Sequence, residues 1–295
     1  MTLQDASIKQ VDDLTNELKT KKRRVILVHM TGYGKFGRSK TNPTELIARS
    51  FSKNFHYSGE YDIQLASVDV LKVCSQGVIR VLLQLYKQAG FALSAEGDYL
   101  REIGFDFSKQ VPAKEDLLYH EDLNVVIEPG KEYIHLFFHM GLNGNLDREV
   151  NFEVHPVNYA SYGIPDESGF NFNEPIIKKN SPLYPTVYPE IDKAALQNGK
   201  EDFISRLIQP PISFNPNISI GNIPMHQSLN AGRFTCNFLY YHSSLISRIY
   251  GQKPDKSYAV FIHIPDNHYI STDEGIQFMN TLIGMLAEQI AQNAP

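Results

Sequence analysis

Cysteine is scarce in this sequence, because its 295 residues include only Cys74 and Cys236. Two cysteines cannot build a disulfide framework or a cysteine-based zinc site, so each has to be considered as a single thiol. Long apolar runs are also missing: the N-terminal 22 residues lack the core of a signal peptide, and no later stretch is long enough to span a bilayer. The sequence therefore predicts a cytoplasmic protein with no membrane partner.

Positive charge is not in excess either. The chain has 28 Lys and Arg against 33 Asp and Glu, a net charge of −5. This negative net charge creates no field that attracts a polyphosphate backbone, so nucleic acid is not expected as the main partner. Hydrophobic residues at 42% and charged residues at 21% are ordinary values for a globular protein and exclude disordered and fibrous classes.

Strand-like and helix-like segments alternate along the chain. Strands are predicted at 24–29, 63–71, 131–141 and 257–265, shorter β-like runs at 149–159 and 217–223, and helices at 42–55, 75–90, 231–251 and 272–290. This order predicts an α/β fold, with helices on both faces of a mainly parallel twisted sheet and ligands at the carboxyl ends of its strands.

The length is compatible with a single α/β domain covering residues 1–295. An extra amphipathic helix is predicted within residues 1–22. Two polar stretches, about 91–130 and 178–215, interrupt the alternation and have too few apolar residues for a core of their own. They are interpreted as insertions.

The first strand runs into Gly32-x-Gly34-x-x-Gly37, the spacing of a dinucleotide-binding loop. In such a loop the helix begins within the glycines, whereas here the helix signals are Asn42 as N-cap and Pro43 at the first helical position. The first acid at a strand end, Asp69, also comes too late. The glycine spacing is therefore a weak indication of nucleotide binding.

The same loop carries two aromatic residues, Tyr33 and Phe36, which the glycines are expected to leave exposed at the end of the first strand. Such rings suit a small, flat ligand with apolar faces. The alternative is a tight turn whose aromatic rings fill the core.

Cys236 is the candidate nucleophile. With Asn230 as N-cap, it would lie in the first turns of helix 231–251, where unpaired amides and the helix dipole favour a thiolate. The alternative is a thiol that packs as a small hydrophobe. Cys74 also lies at a strand-to-helix turn, so position alone does not choose between the two.

His263 and Glu153 are the candidate base and orienting group. His263 ends the apolar strand "AVFIHIP", near where the helix of Cys236 begins. Glu153 lies between Phe152 and Val154, where a buried carboxylate is costly without a partner such as a histidine. The alternatives are a core imidazole and an edge-strand glutamate that faces water.

A zinc site is not expected. His135 and His139 are four residues apart, as in zinc peptidase helices, but "HLFFH" lacks the glutamate after the first histidine and lies in a predicted strand. No metal or other cofactor is therefore predicted.

Four segments, taken in order, resemble the pyroglutamyl peptidase I family of cysteine peptidases, the pyrrolidone-carboxylate peptidases. They are "MTGYGKFGRSKTNPT", "HMGLNG…NFEVHPVNYASYGIPDESG", "SLNAGRFTCNFLYYHSSL" and "AVFIHIP". The resemblance implies a three-layer α/β/α sandwich in which Cys236 is the nucleophile, His263 its base and Glu153 the orienting group. It further implies removal of N-terminal pyroglutamate from peptides through an acyl-enzyme, without metal or cofactor.

The resemblance also implies the substrate contacts. Tyr33 and Phe36 would sandwich the pyroglutamyl ring, and Asn42 would hold the loop in shape. Leu142 is expected to contact the substrate from the turn "GLNGNL", which replaces a glycine-rich turn ending in arginine.

One departure favours a different function. Gly163 stands where the family has an arginine that helps to stabilise the oxyanion, and losing one such donor costs roughly a hundredfold to a thousandfold in rate. The chain is alternatively a weakened or inactive relative that acts as a binding or regulatory protein. Arg148 and Arg233 are candidates to replace the arginine. Whether the chain forms a homo-oligomer is left open by the sequence. A nucleoside phosphorylase-like enzyme is a third interpretation that lacks an evident phosphate site.

Overall fold

The computed structural model describes residues 24–37, 41–59, 61–93, 99, 101–102, 116–128, 131–145, 147–178, 181, 217–249 and 257–293. The helix predicted within residues 1–22, and nearly all of the predicted insertion 178–215, lie outside these ranges. Within them, none of the helices combines the length and the apolar character that a bilayer crossing requires.

A mixed sheet of eight strands forms the centre of the described part. The ten strands, in chain order, are β1 Val25–Tyr33, β2 Asp62–Leu71, β3 Leu117–Asp122, β4 Tyr133–Leu142, β5 Val150–Glu153, β6 Ala160–Ser161, β7 Asn173–Glu174, β8 Asn217–Ile220, β9 Ile223–Ser228 and β10 Ser257–Ile264. The main sheet has the order β3-β2-β1-β4-β10-β5-β9-β8, while β6 and β7 form a separate pair. The four strands from β2 to β10 in this order are mutually parallel.

Helices cover both faces of this sheet, as predicted. They are α1 Pro43–Asn54, α2 Ser75–Gln88, α3 Thr235–Ile249 and α4 Thr272–Asn293. Side chains alternate between the two faces of a strand. Thus Ile26 and Val28 of β1 pack in a core with α1 and α4, whereas Tyr33 packs in a second core with α2 and α3. The three-layer α/β/α prediction is confirmed.

The glycine segment does not form a loop from Gly32 onward, as its sequence suggested. Strand β1 continues through Tyr33, so Gly32 lies inside the strand and against the first turn of α1. A Cβ at Gly32 would lie 2.6 Å from the Thr44 carbonyl oxygen, so only glycine allows this close approach. Helix α1 begins as predicted, with Asn42 as N-cap and Pro43 as its first residue.

The predicted insertion 91–130 contains β3, which pairs antiparallel with β2 and forms an edge of the sheet. Its residues alternate between half-buried and exposed. The sequence interpretation missed this strand because an edge strand with one solvated face lacks the continuous apolar run of a buried parallel strand.

Helix α3 begins at Thr235, four residues later than predicted. Gly232 has φ +76°, a left-handed conformation that cannot be part of the helix. Asn230 accepts a hydrogen bond from the Gly232 amide (3.2 Å), so it closes a turn and does not cap the helix. Cys236 is therefore the second residue of α3.

Candidate active site

The candidate residues meet where β4 and β10 end and α3 begins. His263, near the end of β10, pairs in register with Gly141 of β4. A Cβ at Gly141 would lie 2.9 Å from the Cys236 sulfur and 2.8 Å from the Phe261 ring. The sulfur therefore packs directly against the backbone of β4, beside the strand that carries His263.

Glu153 ends β5 and contacts the same histidine. The His263 Nδ1 and the Glu153 Oε1 are 2.7 Å apart, and Glu153 is fully buried. Strand β5 lies inside the sheet, between β10 and β9, so the alternative of an edge-strand glutamate facing water is wrong. Because Cys236 also hydrogen-bonds to His263, the structure brings the thiol, the imidazole and the carboxylate together.

The electrostatics of His263 follow from these two neighbours. Burial by itself lowers the pKa of the imidazole, but the hydrogen bonds and charges of Cys236 and Glu153 outweigh burial and raise the pKa to about 10. The protonated imidazole is therefore stable at neutral pH, and it holds a proton next to the sulfur.

Backbone amides at the start of α3 offer hydrogen bonds to an anion beside Cys236. The first amides of a helix have no acceptor within it. In α3 the bond from the Phe238 amide to the Phe234 carbonyl (3.1 Å) closes the first turn, and Cys236 lies inside that turn. Its amide is thus placed to donate to an oxygen that gains negative charge.

Tyr33 is not exposed as the sequence interpretation expected. The ring is only 2% exposed, because β1 extends to this residue and directs its side chain under α3. The hydroxyl donates to the Thr235 carbonyl oxygen at 2.8 Å. Tyr33 thus lies beneath the helix that carries Cys236.

Phe36 is half-buried and packs against Phe234, with 5.4 Å between ring centroids. Phe234 in turn contacts the ring of Tyr162 at 4.4 Å. The three rings form an apolar wall, and one of them, Phe234, is two residues before Cys236 in the chain. Phe234 and Tyr162 escaped sequence reasoning because their proximity to Phe36 arises only when the chain folds.

Asn42 lies at the start of α1, and Leu142 lies at the end of β4. The Asn42 side chain donates to the Gly34 carbonyl (3.0 Å) while its oxygen accepts from the Thr44 amide (3.0 Å). One side chain therefore joins the glycine segment to α1. Leu142 is half-buried at the end of β4 and pairs with Ile264 of β10.

Asn237 has a structural role that sequence reasoning missed. It is fully buried, its side-chain oxygen accepts from the Val157 amide (2.8 Å), and its side-chain nitrogen donates to the Val157 and Tyr159 carbonyls. It thereby ties the segment after Glu153 to α3. The sequence signal for this role was the position of Asn237 directly after Cys236.

The two arginines considered as replacements at position 163 lie in different surroundings. Gly163 is exposed, with open space around its Cβ position. The Arg148 guanidinium donates to the Tyr269 carbonyl (2.9 Å) and pairs with Glu274, so it is bound to the start of α4. Arg233 places its guanidinium over the Tyr159 ring, 5.2 Å from the centroid, just before α3.

The histidines of β4 contact other polar side chains. The Nδ1 of His135 lies 3.1 Å from the Nε2 of His29. His139 contacts Thr31 through Nδ1 (2.8 Å) and Ser243 through Nε2 (2.7 Å). In the part of the chain that the structure describes, no group of three or more His, Cys, Asp or Glu is placed to hold a metal ion.

Comparison with solved structures identifies the fold. Pyrrolidone carboxyl peptidase from Fervidobacterium islandicum AW-1 matches with a TM-score of 0.50 and 17% identity, over 90% of this chain and 99% of that one. Pyrrolidone carboxyl peptidase from Pyrococcus furiosus matches with a TM-score of 0.50 and 20% identity, over the same shares of the two chains. No family model and no curated protein matches the sequence. The chain therefore has the fold of the pyrrolidone carboxyl peptidases.

Proposed function

We propose that this protein is a cysteine exopeptidase that removes N-terminal pyroglutamate from cytoplasmic peptides. The observation that carries the proposal is the contact of Cys236 and Glu153 with one imidazole, that of His263. The fold shared with pyrrolidone carboxyl peptidases supports the choice of substrate.

Acylation uses the thiol and the imidazole in turn. The Cys236 thiolate attacks the carbonyl carbon that joins the pyroglutamyl residue to the next residue and forms a C–S bond, while the oxygen of that carbonyl becomes negative. The protonated His263 gives its proton to the amine as the C–N bond breaks. Glu153 stabilises the imidazolium and holds its orientation. The products are a thioester on Cys236 and the shortened peptide.

Deacylation reverses the role of the histidine. Neutral His263 takes a proton from water, the resulting hydroxide attacks the thioester carbon, and the C–S bond breaks. Pyroglutamic acid leaves, and the imidazolium and the thiolate are restored. His263 therefore serves as acid in the first half of the reaction and as base in the second.

The lactam ring is proposed to bind against the apolar wall. Phe36 and Phe234 offer ring faces near Cys236, and Leu142 ends the strand next to His263. Asn42 holds the segment that carries Phe36 in place. Tyr33 lies beneath α3 and does not cover the ring.

A fluorogenic assay tests the proposal. Purified protein is expected to release aminomethylcoumarin from its pyroglutamyl derivative, and Cys236→Ala is expected to abolish release. Cys74→Ser is the matched control, because Cys74 is the buried N-cap of α2 and serine is a good N-cap. A folded wild-type protein without activity, or full activity in Cys236→Ala, would contradict the proposal.

A second candidate is a binding or regulatory protein with little turnover. Gly163 is the observation that favours it, because an exposed glycine supplies no side-chain donor to an oxyanion. In that case a pyroglutamyl ligand protects Cys236 from iodoacetamide while no peptide is cleaved. Protection together with normal turnover excludes this alternative.

A further inference from the structure

Tyr33 links the end of β1 to the helix of the candidate nucleophile. Its hydroxyl donates to the Thr235 carbonyl oxygen at 2.8 Å, across 202 positions of sequence. Tyr33 is itself held at its backbone: its amide donates to the Thr44 Oγ1 (2.9 Å), and that hydroxyl donates to the Tyr33 carbonyl (3.1 Å). The tyrosine therefore presents its hydroxyl from a fixed position.

The bonded carbonyl belongs to the same peptide unit as the Cys236 amide. A peptide unit is planar, so a hydrogen bond that holds the Thr235 C=O also fixes the direction of the Cys236 N–H. A carbonyl that accepts a hydrogen bond polarises its peptide unit, which makes the N–H on the other side a stronger donor. That N–H has no acceptor within α3, since Cys236 is the second residue of the helix.

We propose that Tyr33 is a positioning residue, whose hydrogen bond to Thr235 aims the Cys236 amide at the oxygen that becomes negative during attack by the thiolate. The inference rests on the proposed function and adds a part to it. In this role Tyr33 acts through one peptide unit and not by contact with the substrate.

The Tyr33 hydroxyl keeps its proton over the pH range in which a cysteine peptidase works. Burial raises the pKa of Tyr33 well above its ordinary value, and the nearby Cys236 acts in the same direction. The hydroxyl therefore stays a donor to the Thr235 carbonyl while the charges in the site change.

Tyr33→Phe is the direct test, because it keeps the ring and removes only the hydroxyl. Tyr86→Phe is the matched control: Tyr86 is also buried, and its hydroxyl donates to an α3 carbonyl, that of Ser243 (2.8 Å), two turns beyond Cys236. Both variants remove buried hydroxyl contacts to the same helix, since Tyr86 also contacts the Ser243 and Ser247 hydroxyls. Only the Tyr33 bond involves the peptide unit of Cys236.

The first readout needs no substrate. Labelling cysteine with ¹⁵N gives two backbone amide signals, and ¹³C′-labelled threonine identifies Cys236, which follows Thr235, whereas Cys74 follows Val73. In Tyr33→Phe the Cys236 amide proton is expected to move upfield, and in Tyr86→Phe it is expected to stay. An unchanged Cys236 signal in Tyr33→Phe, or equal shifts in both variants, overturns the proposal.

The second readout is kinetic. In Tyr33→Phe, kcat on a pyroglutamyl substrate is expected to fall about tenfold to a hundredfold, with KM nearly unchanged, because the amide acts on the transition state. Affinity for a pyroglutamyl aldehyde, whose thiohemiacetal oxygen occupies the oxyanion position, falls by a similar factor. Affinity for 2-pyrrolidone, which has only the ring, stays the same.

The two proposals fail in different ways. A folded wild-type protein without pyroglutamyl hydrolysis overturns the proposed function, while the Cys236 amide signal still decides whether Tyr33 controls that peptide unit. A higher KM with unchanged kcat in Tyr33→Phe overturns the positioning role and leaves the proposed function standing.

Discussion

At the scale of single residues, one buried carboxylate acts together with Cys236 on the charge of the candidate base. Glu153 is fully buried and accepts a hydrogen bond from His263 at 2.7 Å. Its negative charge is one of the causes that raise the pKa of His263 to about 10. The fit of this pair depends on the register of β5 against β10, which places Glu153 opposite Phe261, two residues before the histidine.

Glu153→Gln is expected to lower kcat by roughly 10² to 10⁴, because the imidazolium loses its counter-charge and its fixed orientation. The same loss lowers the pKa of His263, so the alkaline limit of kcat moves to lower pH. Initial rates from pH 6 to pH 10 on a pyroglutamyl substrate provide the measurement.

Glu149→Gln is the matched control for this variant. Glu149 also pairs with a histidine, His226 (3.1 Å), but both side chains are partly exposed and lie outside the site. Its kcat and its alkaline limit are expected to equal those of the wild type. Equal losses in the two variants would show that Glu153 acts on general stability and not on the base.

Gly141 is required because no side chain fits between β4 and the sulfur. In Gly141→Ala the new Cβ would lie 2.9 Å from the Cys236 sulfur and 2.8 Å from Phe261, both closer than real contacts allow. Displacement of the sulfur is expected to reduce kcat at least tenfold, and overpacking is expected to cost about 1–3 kcal/mol of unfolding free energy. Assay and urea unfolding measure the two effects.

Gly144→Ala serves as the comparison, since a Cβ there meets nothing within 4 Å and the residue follows the same strand. It is expected to fold and react like the wild type. If Gly141→Ala keeps full activity, the sulfur does not pack against β4 as described.

At the scale of elements, the start of helix α3 places the candidate nucleophile. Helix α3 begins at Thr235 because Gly232 takes a left-handed conformation, and this late start puts Cys236 in the first turn. The position of Asn230 in the sequence favoured an earlier cap. A local pattern allows either start, and only the backbone conformation at the glycine decides between them.

Asn42 performs two tasks at the start of α1, and Asn42→Ala removes both. Loss of the cap is expected to lower the unfolding free energy by about 0.5–2 kcal/mol. Loss of the bond to the Gly34 carbonyl frees the segment that carries Phe36, so KM for a pyroglutamyl substrate is expected to rise. Urea unfolding and Michaelis–Menten analysis provide the two measurements.

Asn54→Ala is the control from the other end of the same helix, where the side chain is exposed and donates to the Ser50 carbonyl. KM is expected to stay unchanged in this variant. A normal KM in Asn42→Ala would mean that the glycine segment keeps its shape without the asparagine.

At the scale of the whole molecule, three buried histidines are expected to limit stability in acid. Burial lowers the pKa of His29, His139 and His242 from 6.5 to about 3, and His135 adds to the effect on His29. The unfolded chain binds these protons near pH 6.5, whereas the folded chain binds them only near pH 3. The unfolding free energy therefore falls as pH decreases through this range.

Each buried histidine contributes up to about 1.4 kcal/mol per pH unit within this window. Urea unfolding at pH 6.5, 5.5 and 4.5 measures how the unfolding free energy changes with pH. His242→Asn is expected to reduce this slope by about the contribution of one histidine. The exposed His268 is the control, since His268→Asn leaves the slope unchanged. An equal slope in His242→Asn and the wild type would contradict the prediction.

The sequence by itself determined the α/β class, most strands and helices, the N-cap of α1 and the identity of the candidate residues. These follow from local properties: the apolar period of each segment, capping residues, and the chemistry of a thiol, an imidazole and a buried carboxylate. The half-exposed strand β3 escaped prediction because its apolar signal is weak.

Only the tertiary structure decided which groups meet. Tyr33 is expected to be exposed when it is considered as part of a glycine loop, yet it is buried under α3, because β1 continues to this residue and the strand directs its side chain inward. The contact of Tyr33 with Thr235, like that of Glu153 with His263, joins distant parts of the chain. Such contacts depend on the order of strands across the whole sheet, and the apolar period of a single segment does not identify its long-range neighbours.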